Sequence, residues 1–370
     1  DETTAPLLTA LSSTVISGYV DTSAQWNPGT GNANSPPVSF NSGKQDGFNL
    51  NVVGLTLEKP LDESPWAAGY KLDLIFGPDA TDYNTSANSG SDADYSIKQA
   101  YIALRAPVGN GIDFKLGSFD SVVGYETFTS YSNPNYTRSY GYTISPTEHT
   151  GILAAYQIND VLAVSAGVAN TLASGINTRN DGDHAESRKT YMGSVTLTAP
   201  ESMGSLAGST LYGGIVDGFN GDSGENQTSY YVGATIATPV AGLRLGAASD
   251  YNQNYGPGSA GAGTNAGGYA SAMAVYASFQ ATEKLSLHGR AEYAHGAVGA
   301  DYSSATIYAL TGTLQYDLWQ NVISRLEIRW DHAEDEIFGG TSSGLKSDGV
   351  VNGAHEKNAV MLAANLVYKF

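Results

Sequence analysis

The sequence predicts an all-β fold: a transmembrane antiparallel up-and-down β-barrel of about sixteen strands. Three observations carry that reading. Segments of roughly ten residues alternate apolar and polar side chains, the period at which a strand sends successive neighbours to opposite faces. Short turns alternate with long polar loops around the whole chain, as they do in barrels whose two ends lie on opposite sides of a membrane. The last stretch, 358–370, carries Val360, Leu362, Ala364, Leu366, Tyr368 and Phe370 on one parity and stops on an aromatic ring suited to the head-group level. A soluble sandwich also alternates, but nothing in that architecture sorts loops by length.

Taken in order, a periplasmic tail at 1–13 precedes the barrel, which occupies 14–370 as one domain. The first strand, 14–24, sets Ile16, Gly18, Val20 and Thr22 against Ser17, Tyr19, Asp21 and Ser23. In the second, 48–58, Phe48 and Leu50 alternate with Asn49 and Asn51 until Val53, Leu55 and Leu57 take over the apolar parity. A bulge near Val52 explains the slip. The third, 67–76, is regular, with Tyr70, Leu72, Leu74 and Phe76 outward and Lys71 and Asp73 inward. Strand four, 97–106, puts Ala100, Ile102 and Leu104 outward and Gln99, Tyr101 and Arg105 inward; strand five, 112–119, puts Asp113 and Lys115 inward. The pattern recurs at 149–157, 162–170, 189–199, 210–217, 228–237, 243–253, 268–280, 285–295, 305–315, 322–332 and 358–370. Short connections (107–111, 159–160, 239–242, 282–284, 319–321) alternate with long ones (77–94, 120–147, 171–187, 254–267, 333–357). An even strand number places both termini on one side, the periplasmic one. Strands follow one another without helical periods, which excludes α/β architectures.

Composition agrees. Only 15% of the 370 residues are charged while 44 are Gly and 24 Tyr, a mixture that suits strands wetted on one face and greasy on the other. There is no Cys, so no disulfide framework, zinc ribbon or covalent haem attachment is available. A net charge of −18 argues against nucleic acid, whose phosphates need clustered Lys and Arg. No apolar run is long enough for a transmembrane helix, and the polar start at Asp1 is what a processed exported protein shows. These features together point to a bacterial outer membrane, with lipid and lipopolysaccharide as surroundings.

In such a barrel, inward charges and lumen width select solutes. Parity places Lys71, Asp73, Lys115, Arg290, Glu292, Arg325, Glu327 and Arg329 on the lumen side, with Lys71, Lys115, Arg290 and Arg329 near mid-height. An Arg or Lys facing hydrocarbon there costs about 2–4 kcal/mol, so the barrel forces the inward assignment. These residues either present a field to solutes or pair with one another across strands, as Arg325, Glu327 and Arg329 can. The loop 120–147 carries Tyr125, Phe128, Tyr131, Tyr136, Tyr140 and Tyr142, too many rings for a freely solvated loop. Folded inward it forms a constriction, with Asp120, Glu126 and Arg138 as its charges; packed over the mouth it forms a lid.

Several pieces of this chain resemble the OmpL-like β-barrel porins: Ser17-Gly18-Tyr19-Val20-Asp21, Phe48-Asn49-Leu50-Asn51, Gly117-Ser118-Phe119 followed by Gly124-Tyr125-Glu126, Asn135-Tyr136-Thr137-Arg138-Ser139, His149-Thr150-Gly151, and Arg325-Leu326-Glu327-Ile328-Arg329-Trp330-Asp331-His332. The resemblance covers the two ends and the first half, while 171–268 matches in pattern only. Ser145-Pro146-Thr147-Glu148 departs from the more aromatic version expected before His149. The resemblance implies an outer-membrane porin for passive diffusion of small hydrophilic solutes and ions.

No catalytic motif accompanies the six histidines, and inward-facing His288 is poorly placed for a lipid-rim hydrolase, so no enzyme is expected. No cofactor is expected either, although Asp92/Asp94, Asp181/Asp183 and Glu334-Asp335-Glu336 could hold Ca²⁺ through carboxylate oxygens. A homotrimer suits a barrel of this size, with the Ala-rich strands twelve and fourteen as the expected contact wall. The alternative function is an occluded scaffold barrel that anchors a surface layer or an electron-transfer partner.

Overall fold

The computed structural model describes residues 13–29, 34–41, 43–85, 94–172, 175–179, 184, 186–220, 225–256, 268–299, 303–339 and 356–370. The expected tail, apart from Ser13, and the acidic pair Asp181/Asp183 lie outside them, as does Asp92. Sixteen strands follow in chain order: β1 (Val15–Trp26), β2 (Gly47–Lys59), β3 (Ala68–Phe76), β4 (Tyr95–Ala106), β5 (Ile112–Asp120), β6 (Glu148–Gln157), β7 (Leu162–Ala169) and β8 (Thr190–Thr198), then β9 (Thr210–Asn220), β10 (Glu225–Ala237), β11 (Leu243–Tyr255), β12 (Gly268–Gln280), β13 (Leu285–Gly296), β14 (Ala305–Trp319), β15 (Val322–Ala333) and β16 (Asn358–Lys369). Two short helices lie between strands, α1 (Pro78–Tyr83) and α2 (Tyr140–Ile144). Each strand pairs antiparallel with its sequence neighbours and β1 pairs with β16, so the sheet closes into a barrel.

Closure is what makes the greasy outer face tenable, because an open edge in hydrocarbon would leave its N–H and C=O groups unpaired. The closing seam begins with an exchanged pair: Gly18 N–H to Phe370 C=O at 3.0 Å and Phe370 N–H to Gly18 C=O at 2.9 Å. A side chain at position 18 would collide with the Phe370 ring, whose edge sits 2.5 Å from where a Cβ would be. β15 shows the alternation plainly, with Leu326, Ile328 and Trp330 exposed and Arg325, Glu327 and Arg329 buried. At the long-loop end, outward rings form a belt running Tyr230, Tyr251, Tyr269, His295, Tyr293, Tyr308, His332, Trp330, with successive centroids 5.4–6.4 Å apart. Such a girdle marks the edge of an apolar band.

Of four register shifts between the described strands, two bear on the polar side chains that reach the lumen. Asp21 faces Val52 and Thr22 faces Leu50, leaving Asn51 as the extra residue at the slip that the alternation marks. A second bulge, which the alternation does not reveal, leaves Lys98 unpaired between Gln99, opposite Asp73, and Ile97, opposite Leu74. Most alanines of β12 and β14, on which the expected contact wall rested, do not face outward. Ala270, Ala272, Ala274, Ala305 and Ala309 are buried on the inner face, and most of them pack around Tyr140 and Ile144 of α2. Parity alone places them there, and their small volume leaves room for a helix inside the barrel.

Deleting Phe370 removes both bonds of the Gly18 pair, a loss of about 1–3 kcal/mol. The truncated chain should refold in lower yield, read as the fraction that keeps heat-modifiable migration in detergent gels.

Candidate lumen site

The segment 121–147 connects β5 to β6, and its contacts are with inward-parity side chains of distant strands. Glu327 of β15 accepts four hydrogen bonds: from Tyr136 N (2.6 Å), Thr137 N (2.9 Å), Thr137 Oγ1 (2.6 Å) and Thr313 Oγ1 of β14 (2.6 Å). Arg290 of β13 donates to Glu126 (2.8 Å), Glu292 (2.6 Å) and the Thr137 carbonyl (2.7 Å). Arg329 grips Asp331 through two 2.8 Å bonds and donates to the Arg138 carbonyl at 2.7 Å. Arg325 holds Asn365 of β16 and the Ser130 carbonyl, and Asn365 in turn donates to Asp21 of β1. Arg138 contacts carbonyls of its own segment, with Phe40 and Tyr142 beside its guanidinium.

The remaining anchors lie on the adjoining strands β11 and β12. Asp250 of β11 accepts from Ser145 at 2.6 Å, Asn252 donates to the Ile144 carbonyl, and Tyr125 stacks on Tyr276 of β12 with centroids 4.2 Å apart. Ser139 caps α2 by accepting from Tyr142 N, and Glu292 accepts from Tyr140 N at 2.7 Å. The loop's rings are covered, as their number implies: Phe128, Tyr136, Tyr140 and Tyr142 are all buried. Burial pushes the phenols of Tyr136, Tyr140 and Tyr142 well above their ordinary value, so they stay neutral. In α1, burial pushes the Asp79 carboxyl up to about 6, against the pull of Lys44 at 2.5 Å.

The sequence-assigned charges therefore fall into two groups. Glu126, Arg138, Arg290, Glu292, Arg325, Glu327 and Arg329 form one network and are all less than 8% exposed, so they line the loop rather than water. Arg325, Glu327 and Arg329 do not pair with one another, because loop amides and carbonyls, Asn365 and Asp331 take their bonding capacity. Lys71, Asp73, Lys115 and Asp120 sit apart on β3–β5. There Lys71 approaches Glu58 at 3.4 Å and Asp73 at 3.8 Å, while Asp73 also accepts from Thr56 and Gln99. Asp120 binds Lys98 at 2.8 Å, and Lys115 lies over the Tyr101 ring at 4.9 Å. Lys98 is the residue that simple parity misses: it shares the parity of Ala100 and Ile102, and the bulge turns it inward. A charge on an otherwise apolar parity was the available signal. Among the described residues, no group of three or more His, Asp or Glu side chains is arranged to hold a metal, and Glu334–Glu336 is not one.

The sequence matches, over residues 13–370, the family model described as "Putative beta-barrel porin-2, OmpL-like". The chain belongs to this family. It is thus a bacterial outer-membrane porin, a passive channel. No match was found among curated protein sequences. Its fold is similar to an anion-selective porin from Comamonas acidovorans (11% identity, TM-score 0.61, covering 97% of this chain and 99% of that one). It is equally similar to OmpF of Salmonella typhi, in a structure with daunomycin (12%, 0.61, 96% and 97%). The outer membrane channel DcaP of Acinetobacter baumannii also matches (13%, 0.58, 96% and 97%).

Glu327→Ala should leave three donors of the segment without their acceptor, at about 1–3 kcal/mol for each buried group. The porin should stay folded while the Tyr136 and Thr137 amides exchange hydrogen markedly faster, measured by hydrogen–deuterium exchange in detergent.

Proposed function

We propose that this porin admits small hydrophilic solutes and ions by diffusion through a lumen that the 120–147 segment narrows at mid-height. The observation that carries the reading is the course of that segment, which leaves the wall between β5 and β6 and is anchored across the barrel to the continuous arc of β11–β16 and β1. A lid over the mouth would not meet Arg290 or Glu327, which lie near the middle of their strands. Because the buried network consumes the arginines, the segment is pinned and the aperture is set by its edge. The reading carries no catalytic step and no cofactor, and the start of β1 and the end of β16 lie at the short-turn end, which we assign to the periplasm. The aromatic belt at the other end then meets outer-leaflet lipid and lipopolysaccharide.

We further assign a homotrimer contact to the outer wall of β15, β16, β1 and β2 instead of β12 and β14. Ala24 and Ala364, paired across the closing seam, leave a groove of about 650 Å³ beside Trp26, Leu326 and Leu362. Phe48 stands beside it 95% exposed. A structure similar in fold, OmpT of Vibrio cholerae, carries the description "trimer form". The competing reading, an occluded scaffold barrel, differs in one measurement. Reconstituted into planar bilayers, the porin should give stepwise ohmic conductance, in groups of three if trimeric; silent bilayers would favour the scaffold.

A further inference from the structure

The charges that a solute meets are not those of the arginine ladder. The Arg290 and Arg329 ion pairs have side chains 0–1% exposed. Ion pairs that reach water lie instead on β2–β5. Their side-chain exposure is 44% at Asp120, 37% at Glu58 and Asp113, 25% at Arg105 and 23% at Lys71. From the short-turn end upward the register along β4 gives Arg105 with Asp113, then Lys115 opposite Ala103, then Lys71 with Glu58 at the level of Tyr101, then Lys98 with Asp120. Above them a cavity of about 120 Å³ continues between Asp120, Ser121, Thr127, Tyr83 and Thr147.

Every cation in that stripe has a carboxylate within 4 Å except Lys115, whose described neighbour is the face of Tyr101. An anion arriving at Lys71, Lys98 or Arg105 must compete with an internal carboxylate. At Lys115 it displaces only water. A partly buried ammonium beside an aromatic ring attracts an anion more strongly than one in bulk solvent, because the low-dielectric wall screens it less. One ammonium without an arginine fork or a nest of backbone N–H groups suits a carboxylate, whereas a phosphate dianion favours several convergent donors.

Building on the channel reading, we propose that the β2–β5 stripe is the solute track of this porin and that Lys115 is its docking residue for the carboxylate of small anionic solutes. The overall charge of −18 does not oppose this, since charges more than about 10 Å away through electrolyte are largely screened.

The test uses full-length porin in proteoliposomes, with influx of succinate compared to that of the neutral polyol erythritol. Lys115→Gln should lower the succinate-to-erythritol ratio about fivefold, the scale of one partly exposed ion pair. Lys115→Arg should keep the ratio near its original value. The chloride-over-potassium preference, from reversal potential in a KCl gradient, should fall in the Gln variant alone. Heat-modifiable migration of each variant shows that the barrel has formed. An unchanged ratio in a conducting Lys115→Gln porin overturns the assignment of Lys115 and leaves the channel standing. Absence of conductance in the unsubstituted protein overturns the channel reading, and the track with it.

Discussion

Everything in this protein follows from the need to satisfy backbone hydrogen bonds without water. A strand in hydrocarbon has no solvent to fall back on, so the only stable sheet is one without edges. The seam between β1 and β16 provides that, with eight residue pairs from Tyr19–Lys369 to Trp26–Leu362 and the Gly18–Phe370 exchange below them. Once the ring is closed, each strand has one face in lipid and one in the lumen. Side-chain chemistry then sorts itself, since an Arg on the wrong face costs about as much as a large core truncation.

A closed ring of sixteen strands encloses more space than its own side chains fill, and that space shapes the rest of the molecule. The 121–147 segment is a polar backbone laid against a polar wall, and its amides and carbonyls need partners. Glu327, Arg290, Arg329 and Arg325 supply them, each making several bonds, and with Arg138 the arginines are matched by Glu126, Glu292, Glu327 and Asp331 inside the same network. A buried charge is tolerable only when paired and hydrogen-bonded, and here the loop completes the set. On the adjoining β12, the small inner residues Ala270 and Ala272 admit α2. Gly246 likewise leaves room for Tyr125, whose hydroxyl stands 2.0 Å from where a Cβ would be.

Much of this was legible in the residues because barrel physics is periodic. The sixteen segments, the Asn51–Val52 slip and the inward parity of the eight mid-strand charges all follow from a two-residue repeat. Lys98 escaped because a bulge breaks that repeat without breaking the apolar run of Ala100, Ile102 and Leu104. The alanines of β12 and β14 were counted toward an outer contact wall because composition was weighed there without parity, which puts most of them inside. The arginines were assigned to the right face, but their burial could not be seen, since the groups that cover them lie more than 150 residues away in the chain.

The sequence by itself determined the class of fold, the strand count and the face each regular side chain takes, because alternation is a local property and lipid enforces it. Tertiary structure decided which of those inward charges still see water. Arg325, Arg329 and Lys115 look alike in sequence, each a cation on the lumen parity, but only the course of the long segment across the barrel separates them. It withdraws the arginines into a hydrogen-bonded network and leaves the lysine on the opposite wall.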